Sequence, residues 1–249
     1  MTRVIRPGAA GPFVILCDHA SNQVPPELRN LGLPEAELLR HIAWDPGAAG
    51  IAEYLSEYFD SPAILCPTSR LVIDCNRQLN APDLIPEQSD GTVIPGNLGL
   101  SPEQRQQRIE RWFEPYHQAV EAVLDDRNQR GLPSTTLSVH SMTPSLAGVS
   151  RPWEIALSSY RDRSLAEPVL AALRAPGDLC IGDNQPYDLD PAVDFSTPFH
   201  ALRRNLPHLQ VEFRQDTVAE EAGQQEAARR FAKALTEALR PLGYFFRLE

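Results

Sequence analysis

No stretch of this chain is long and apolar enough to cross a membrane. The first apolar run, Phe13–Cys17, is short and is soon followed by Asp18 and His19. A spanning helix needs about 20 apolar residues, and a secretory leader needs an apolar core that the N-terminus lacks, so a soluble cytoplasmic protein is the expectation. Cysteine is scarce and unpatterned. Cys17, Cys66, Cys75 and Cys180 form no C-x-x-C, which argues against a thiol metal site or a disulfide framework. The first three lie in or beside apolar runs and read as buried free thiols. Positive charge is also lacking: 23 Lys and Arg face 33 Asp and Glu, a net charge of −10. That balance disfavours a nucleic-acid partner, and an anionic small molecule would need a local cluster of arginines. Repeats, low-complexity tracts and composition breaks are absent too. The 249 residues, 42% of them hydrophobic, therefore read as one domain over 1–249 with a full core.

Where apolar residues do gather, strand-like and helix-like patterns alternate. Phe13–Cys17 is continuous, as in a strand buried on both faces. A helical stretch around Pro34–His41 follows a Pro25-Pro26 loop. Asp45 before Pro46 then reads as the N-cap of a helix carrying Ile51, Leu55, Tyr58 and Phe59. Ala63–Cys66 and Leu71–Ile73 read as the next two strands, and 78–100 as a long irregular loop of the kind that is often functional. Ser101-Pro102-Glu103-Gln104 has the form of a capping box, opening a helix that buries Trp112, Phe113, Tyr116 and Val120 and bends at Pro115. Thr135–His140, Leu179–Ile181 and Leu209–Phe213 read as further strands. Helices are expected from Ser164 to Arg174 and after Thr217-x-x-Glu220. Strands separated by helices predict an α/β fold: a doubly wound, mostly parallel mixed sheet with helices on both faces. Such sheets build their sites at the carboxyl ends of strands.

Four segments place a metal-binding or ionisable residue at or just past such an end. They are His19-Ala20-Ser21-Asn22, Asp74-Cys75-Asn76-Arg77, Ser138-Val139-His140-Ser141 and Val211-Glu212-Phe213-Arg214. Together they offer imidazoles for a divalent metal, a guanidinium for a carboxylate and a carboxylate to move protons. That inventory points to metal-assisted hydrolysis of a small acidic amide. A lone histidine is ordinarily structural; four candidates at equivalent topological positions weigh against that.

The order H-x-x-N, D-x-N-R, S-V-H-S, E-F-R resembles the zinc carboxypeptidase plan of H-x-x-E, N-R, S-I-H-S and E-L-R. It is more closely similar to the N-formylglutamate amidohydrolases. Cys17–Ser21, Ile73–Arg77, Pro115–His117, Gly182–Tyr187 and Val211–Asp216 all resemble segments of that family, over roughly residues 13–217. The resemblance implies a carboxypeptidase-like or phosphorylase/hydrolase-like fold, a Zn²⁺ or other divalent transition-metal cofactor, and an acidic N-acyl amino acid as substrate. By the same resemblance His19, Asn22 and His140 are the metal ligands and Glu212 the general base. Asn76 and Arg77 hold the substrate carboxylate, and His200 lies in a stretch similar to a substrate loop of the family. Arg70 has two readings, stabilising the oxyanion or clamping a second carboxylate.

Asn22 departs from the plan, which has Glu there, because a neutral amide is a poorer ligand. Three outcomes stay open: weak ligation by Asn22, substitution by Asp18 or Asp45, or loose metal binding. Asp45 reads first as a helix cap. Two other functions stay open as well, an impaired relative that only binds an acidic small molecule and a carboxypeptidase. Among the remaining candidates, His117 reads as packing or surface, His41 as a helix-end charge and His208 as a loop residue. Arg203-Arg204 reads as a solvated face or, less simply, as a reader of a side-chain carboxylate.

Overall fold

The computed structural model describes residues 2–240, so both ends of the expected 1–249 domain lie outside the described residues. The chain opens with β1 (Arg3–Ile5) and β2 (Phe13–Cys17), then α1 (Glu35–Leu38), α2 (Ala48–Tyr58) and β3 (Ala63–Leu65). A small hairpin, β4 (Gln88–Ser89) and β5 (Thr92–Val93), sits inside the long loop. Next come α3 (Pro102–Arg108), a π-helical turn (Ile109–Phe113) and α4 (Glu114–Gln129). The second half holds β6 (Thr135–Met142), a hairpin of β7 (Ser145–Leu146) and β8 (Val149–Ser150), β9 (Ile155–Ser158), α5 (Ala166–Arg174) and β10 (Ile181–Asp183). It closes with α6 (Ser196–His200), β11 (His208–Arg214) and α7 (Glu221–Leu239).

Seven strands form one sheet in the order β1-β3-β2-β6-β11-β9-β10. The four central strands run parallel, β1 is antiparallel at one edge, and β9 and β10 run together against β11. The doubly wound, mostly parallel α/β architecture is thus present. Strand alternation explains the two layers. Phe13, Ile15 and Cys17 face a core completed by α2, α5 and α7, while Val14 and Leu16 face the opposite core with Tyr116, Val120 and Val123 of α4. Each fully buried side chain such as Ile51 or Leu55 contributes about 1.5–3 kcal/mol of transfer free energy. No helix among the described residues is long and apolar enough to cross a membrane.

The capping box forms as expected: the Gln104 N–H donates to Ser101 Oγ, and the Ser101 N–H to Gln104 Oε1. The break near Pro115 takes the form of the π-helical turn just before it, where the proline's missing N–H leaves a carbonyl without its usual donor.

Several expectations need correction. Leu71–Ile73 is a buried turn, not a strand. The Leu71 N–H donates to Ser69 Oγ and the Val72 N–H to Ser69 O, so local acceptors replace a ladder. His208 begins β11 instead of lying in a loop, and β1 and β9 carried no expectation. Asp45 is no helix cap. The N-cap of α2 is Gly47, at a φ of 85°, where a Cβ would meet Val218 O at 2.6 Å. Glycine alone takes that turn without strain, and Asp45 lies before it, with its side chain in the interior.

Candidate active site

The parallel strands β2, β6 and β11 deliver His19, His140 and Glu212 to one end of the sheet. Pairing fixes the last two side by side, since His140 is in register with Glu212. The face they share is polar by alternation. Thr136, Ser138 and His140 on β6 meet His208, Gln210 and Glu212 on β11, while Leu137, Val139, Val211 and Phe213 turn to the opposite core. A cavity of about 740 Å³ opens above these residues. Its walls include His19, Asp45, Arg70, Asn76, Arg77, His140 and Glu212, and also Asp83, Gln88 and Asp90 from the long loop.

Two imidazoles converge on one carboxylate oxygen. His19 Nδ1 lies 3.3 Å and His140 Nδ1 3.0 Å from Asp45 Oδ2. Each ring is held from behind. His19 Nε2 donates to Asp74 Oδ1 at 2.7 Å, and His140 Nε2 sits 3.0 Å from Ser138 Oγ and 3.5 Å from Asp18 Oδ2. Burial alone would raise the carboxyls, but the imidazoles and Arg70 hold Asp18, Asp45 and Asp74 well below the usual range. Burial likewise opposes charge on His140, yet hydrogen bonds to Asp18 and Asp45 raise it well above its ordinary value. Ionised Asp74 and Asp18 can only accept, so each Nε2 carries a proton. Ionised Asp45 faces both Nδ1 atoms as an acceptor too, so a cation bound there would take the place of the Nδ1 protons.

This donor set fits a divalent cation. One ligand atom each from His19, Asp45 and His140 lies within 4.8 Å of the others, all three residues being buried. Two imidazoles and a carboxylate are a zinc-type set, with metal–ligand bonds of about 2.0–2.2 Å and one position left open. Carboxylates behind ligand imidazoles are the usual device for fixing ring orientation.

Glu212 differs from the three acids that surround the imidazoles, Asp18, Asp45 and Asp74. It is 5% exposed and lines the cavity, yet has no hydrogen-bond partner among the described residues. Burial pushes its carboxyl up to about 7, with Asp45 adding to the rise and His140 opposing it. A carboxyl that gains or loses a proton near neutrality is suited to proton transfer.

The other expected site residues divide. Arg70 lines the cavity but is engaged, donating to Asp74 Oδ2 at 2.7 and 3.0 Å and reaching Asp45 Oδ1 at 3.4 Å. Asn76 lines it too, while its amide accepts from the N–H groups of Phe195 and Ser196 and donates to Asp194. One amide N–H is left for a ligand. Arg77 is partly exposed and pairs with exposed Asp83 at 2.8 Å.

Asn22 and His200 are not among the cavity walls. Asn22 turns its amide to Leu38 O at 3.0 Å, and Asp45 faces the imidazoles in its place. His200 is fully buried, its Nε2 donating to His117 Nδ1 at 2.9 Å while His117 Nε2 donates to Cys75 O. Burial lowers both rings, to about 3 and about 4, so they stay neutral and pack with Phe195 and Phe199. Arg203 and Arg204 also stay outside, one over the Phe199 ring and the other paired with Asp125. Accordingly Asn22→Glu is expected to leave metal affinity unchanged in a competition titration. Tighter binding would place position 22 at the metal after all.

Comparison with known proteins gives a consistent picture. The family described as N-formylglutamate amidohydrolase matches residues 11–219. A gene product of Agrobacterium tumefaciens of known structure is 32% identical, with a TM-score of 0.93, over 98% of this chain and 96% of its own. The N-formylglutamate amidohydrolase of Ralstonia eutropha is 21% identical, with a TM-score of 0.66 over 98% of this chain and 97% of its own, a likeness of fold. A comparison with curated proteins finds no match.

Proposed function

The chain belongs to the N-formylglutamate amidohydrolase family, and from that premise we propose that it hydrolyses the amide of N-formylglutamate or a related acidic N-acyl amino acid, using a divalent cation such as Zn²⁺ held by His19, Asp45 and His140. The observation that carries this reading is one cavity holding three converging donors beside an unpartnered buried carboxyl, Glu212. When bound, the cation lowers the pKa of water toward ~7 and polarises the amide carbonyl. Glu212 takes the proton from the attacking water and returns it to the departing amine nitrogen as the C–N bond breaks. Asp74, Asp18 and Ser138 keep the two imidazoles in the tautomer that the site requires. Arg70 balances the charge of Asp74 and Asp45. The test is metal analysis of the purified protein together with amine release across a panel of N-acyl amino acids. A metal-free protein that is not activated by added Zn²⁺ would refute the reading.

Arg77, with Asn76 beside it, receives the substrate's α-carboxylate. Its present partner, Asp83, is exposed. Exposed pairs contribute only about 0–1 kcal/mol, so the exchange for a substrate carboxylate costs little. A charge-assisted hydrogen bond is worth about 1.5–3 kcal/mol. Arg77→Ala should therefore lower kcat/KM for a free N-acyl amino acid by roughly ten- to a hundred-fold. The same substrate with its α-carboxylate amidated should lose far less. Equal losses on both would make Arg77 structural.

A further inference from the structure

Buried arginines in this chain are surrounded by acceptors. Arg127 donates to Ala9 O, Gly11 O, Pro133 O and Ser134 Oγ. Arg108 donates to Val72 O, Gly96 O and Asn97 Oδ1, and even half-buried Arg70 is held by Asp74 and Asp45. Arg151 is the exception. It is only 7% exposed and lines the cavity, yet its side chain makes one hydrogen bond, from Nη2 to Tyr187 Oη at 2.7 Å, with the guanidinium 4.9 Å from that ring's centre. Among the described residues no carboxylate pairs with it. A buried cation without an anion is costly, and a guanidinium keeps its charge whatever its surroundings. Such a group is complete only when an anion arrives.

The topology explains its position. Because β9 runs antiparallel to β11, with Ile155 opposite Phe213, the residues leading into β9 lie near the end of the sheet where β6 and β11 finish. Arg151 is fixed there by its own N–H, which donates to Pro144 O just beyond β6. Tyr187 also lines the cavity. Its hydroxyl accepts from Arg151 and keeps its own proton to donate.

We propose that Arg151, assisted by Tyr187, is the receptor for the side-chain carboxylate of a dicarboxylic substrate and sets the preference for acidic over neutral N-acyl amino acids. This rests on the hydrolase reading above and adds a second anion site to it. Arg77 takes the α-carboxylate, Arg151 takes the distal one, and the metal donors lie in the same cavity. A planar guanidinium with free donors offers the two-point contact that a carboxylate accepts and a carboxamide, with one oxygen, does not.

The test compares wild type and Arg151→Met, which keeps an apolar stem against Tyr187, on N-formylglutamate and N-formylglutamine. Binding of free L-glutamate and L-glutamine is followed by calorimetry in parallel. Wild type should prefer the acid in both assays. Arg151→Met should lose about ten- to a hundred-fold on N-formylglutamate, mainly through KM, and little on N-formylglutamine, so that discrimination collapses. Arg151→Lys should fall between, and serves as the readable variant if Arg151→Met does not fold. Equal losses on both substrates, or a preference that survives Arg151→Met, would overturn the assignment while leaving hydrolysis intact. If wild type hydrolyses neither compound, the hydrolase reading fails separately. The glutamate-over-glutamine difference in binding, and its loss in the variant, then decides the role of Arg151 alone.

Discussion

Alanine in place of His19 or of His140 is expected to leave the protein without bound metal and without hydrolytic activity. Each imidazole is one of three donors that converge within 4.8 Å, and Asp45 with a single histidine retains too few ligands for a zinc-type site. The sheet should survive, because both rings lie at strand ends and the ladder uses backbone groups. Metal content by plasma emission should fall to background in both variants, with little change in far-ultraviolet circular dichroism. Asp74→Asn is the graded version. It keeps the shape behind His19 Nε2 but loses the charge that fixes the proton there, and should weaken metal binding about ten- to a hundred-fold. Full metal occupancy in both alanine variants would remove the proposed centre.

Glu212→Gln should separate proton transfer from binding. The amide keeps the volume of a side chain that has no hydrogen-bond partner among the described residues, so the change breaks no existing hydrogen bond. Its loss as a proton acceptor should cost about 10²–10⁴ in kcat, with metal content and KM held. The position of the acid beside His140 allows one competing outcome. If the variant loses metal in proportion to activity, Glu212 is a ligand and the base must be sought elsewhere in the cavity.

The reading of the chain as a protein that only binds an acidic compound draws its force from Asn22, which stands where the carboxypeptidase plan has Glu. That force is lost once Asp45 is seen facing both imidazoles while Asn22 serves the Leu38 carbonyl. Asp45 was open to a sequence reader only as an alternative. Asp-Pro ahead of an apolar periodic stretch is a good cap signal, and nothing local shows that Gly47 moves the helix start beyond it. Another signal was legible in principle. Thr136-Leu137-Ser138-Val139-His140 and His208-Leu209-Gln210-Val211-Glu212 both alternate polar and apolar residues. Two central strands with that period present one polar face, which is where the cavity lies.

The sequence by itself determined the alternating α/β order, the capping box at Ser101, the family, and the strand-end placement of His19, His140 and Glu212. These follow from local periodicity, local capping chemistry and short motifs, all of which act over a few residues. It did not determine that Leu71–Ile73 is a turn, because an apolar run looks the same whether a ladder or Ser69 satisfies its backbone. Nor could it separate Arg151 from the other arginines. Which cations already have anions depends in part on residues far away in the chain. Arg70 meets Asp45 across 25 positions as well as nearby Asp74, whereas among the described residues the Arg151 guanidinium donates only to the hydroxyl of Tyr187, 36 positions away. Asp45 joins His19 across 26 positions and His140 across 95. Only the tertiary structure decided those pairings, because Coulomb and hydrogen-bond energies depend on distance in space and not on distance along the chain.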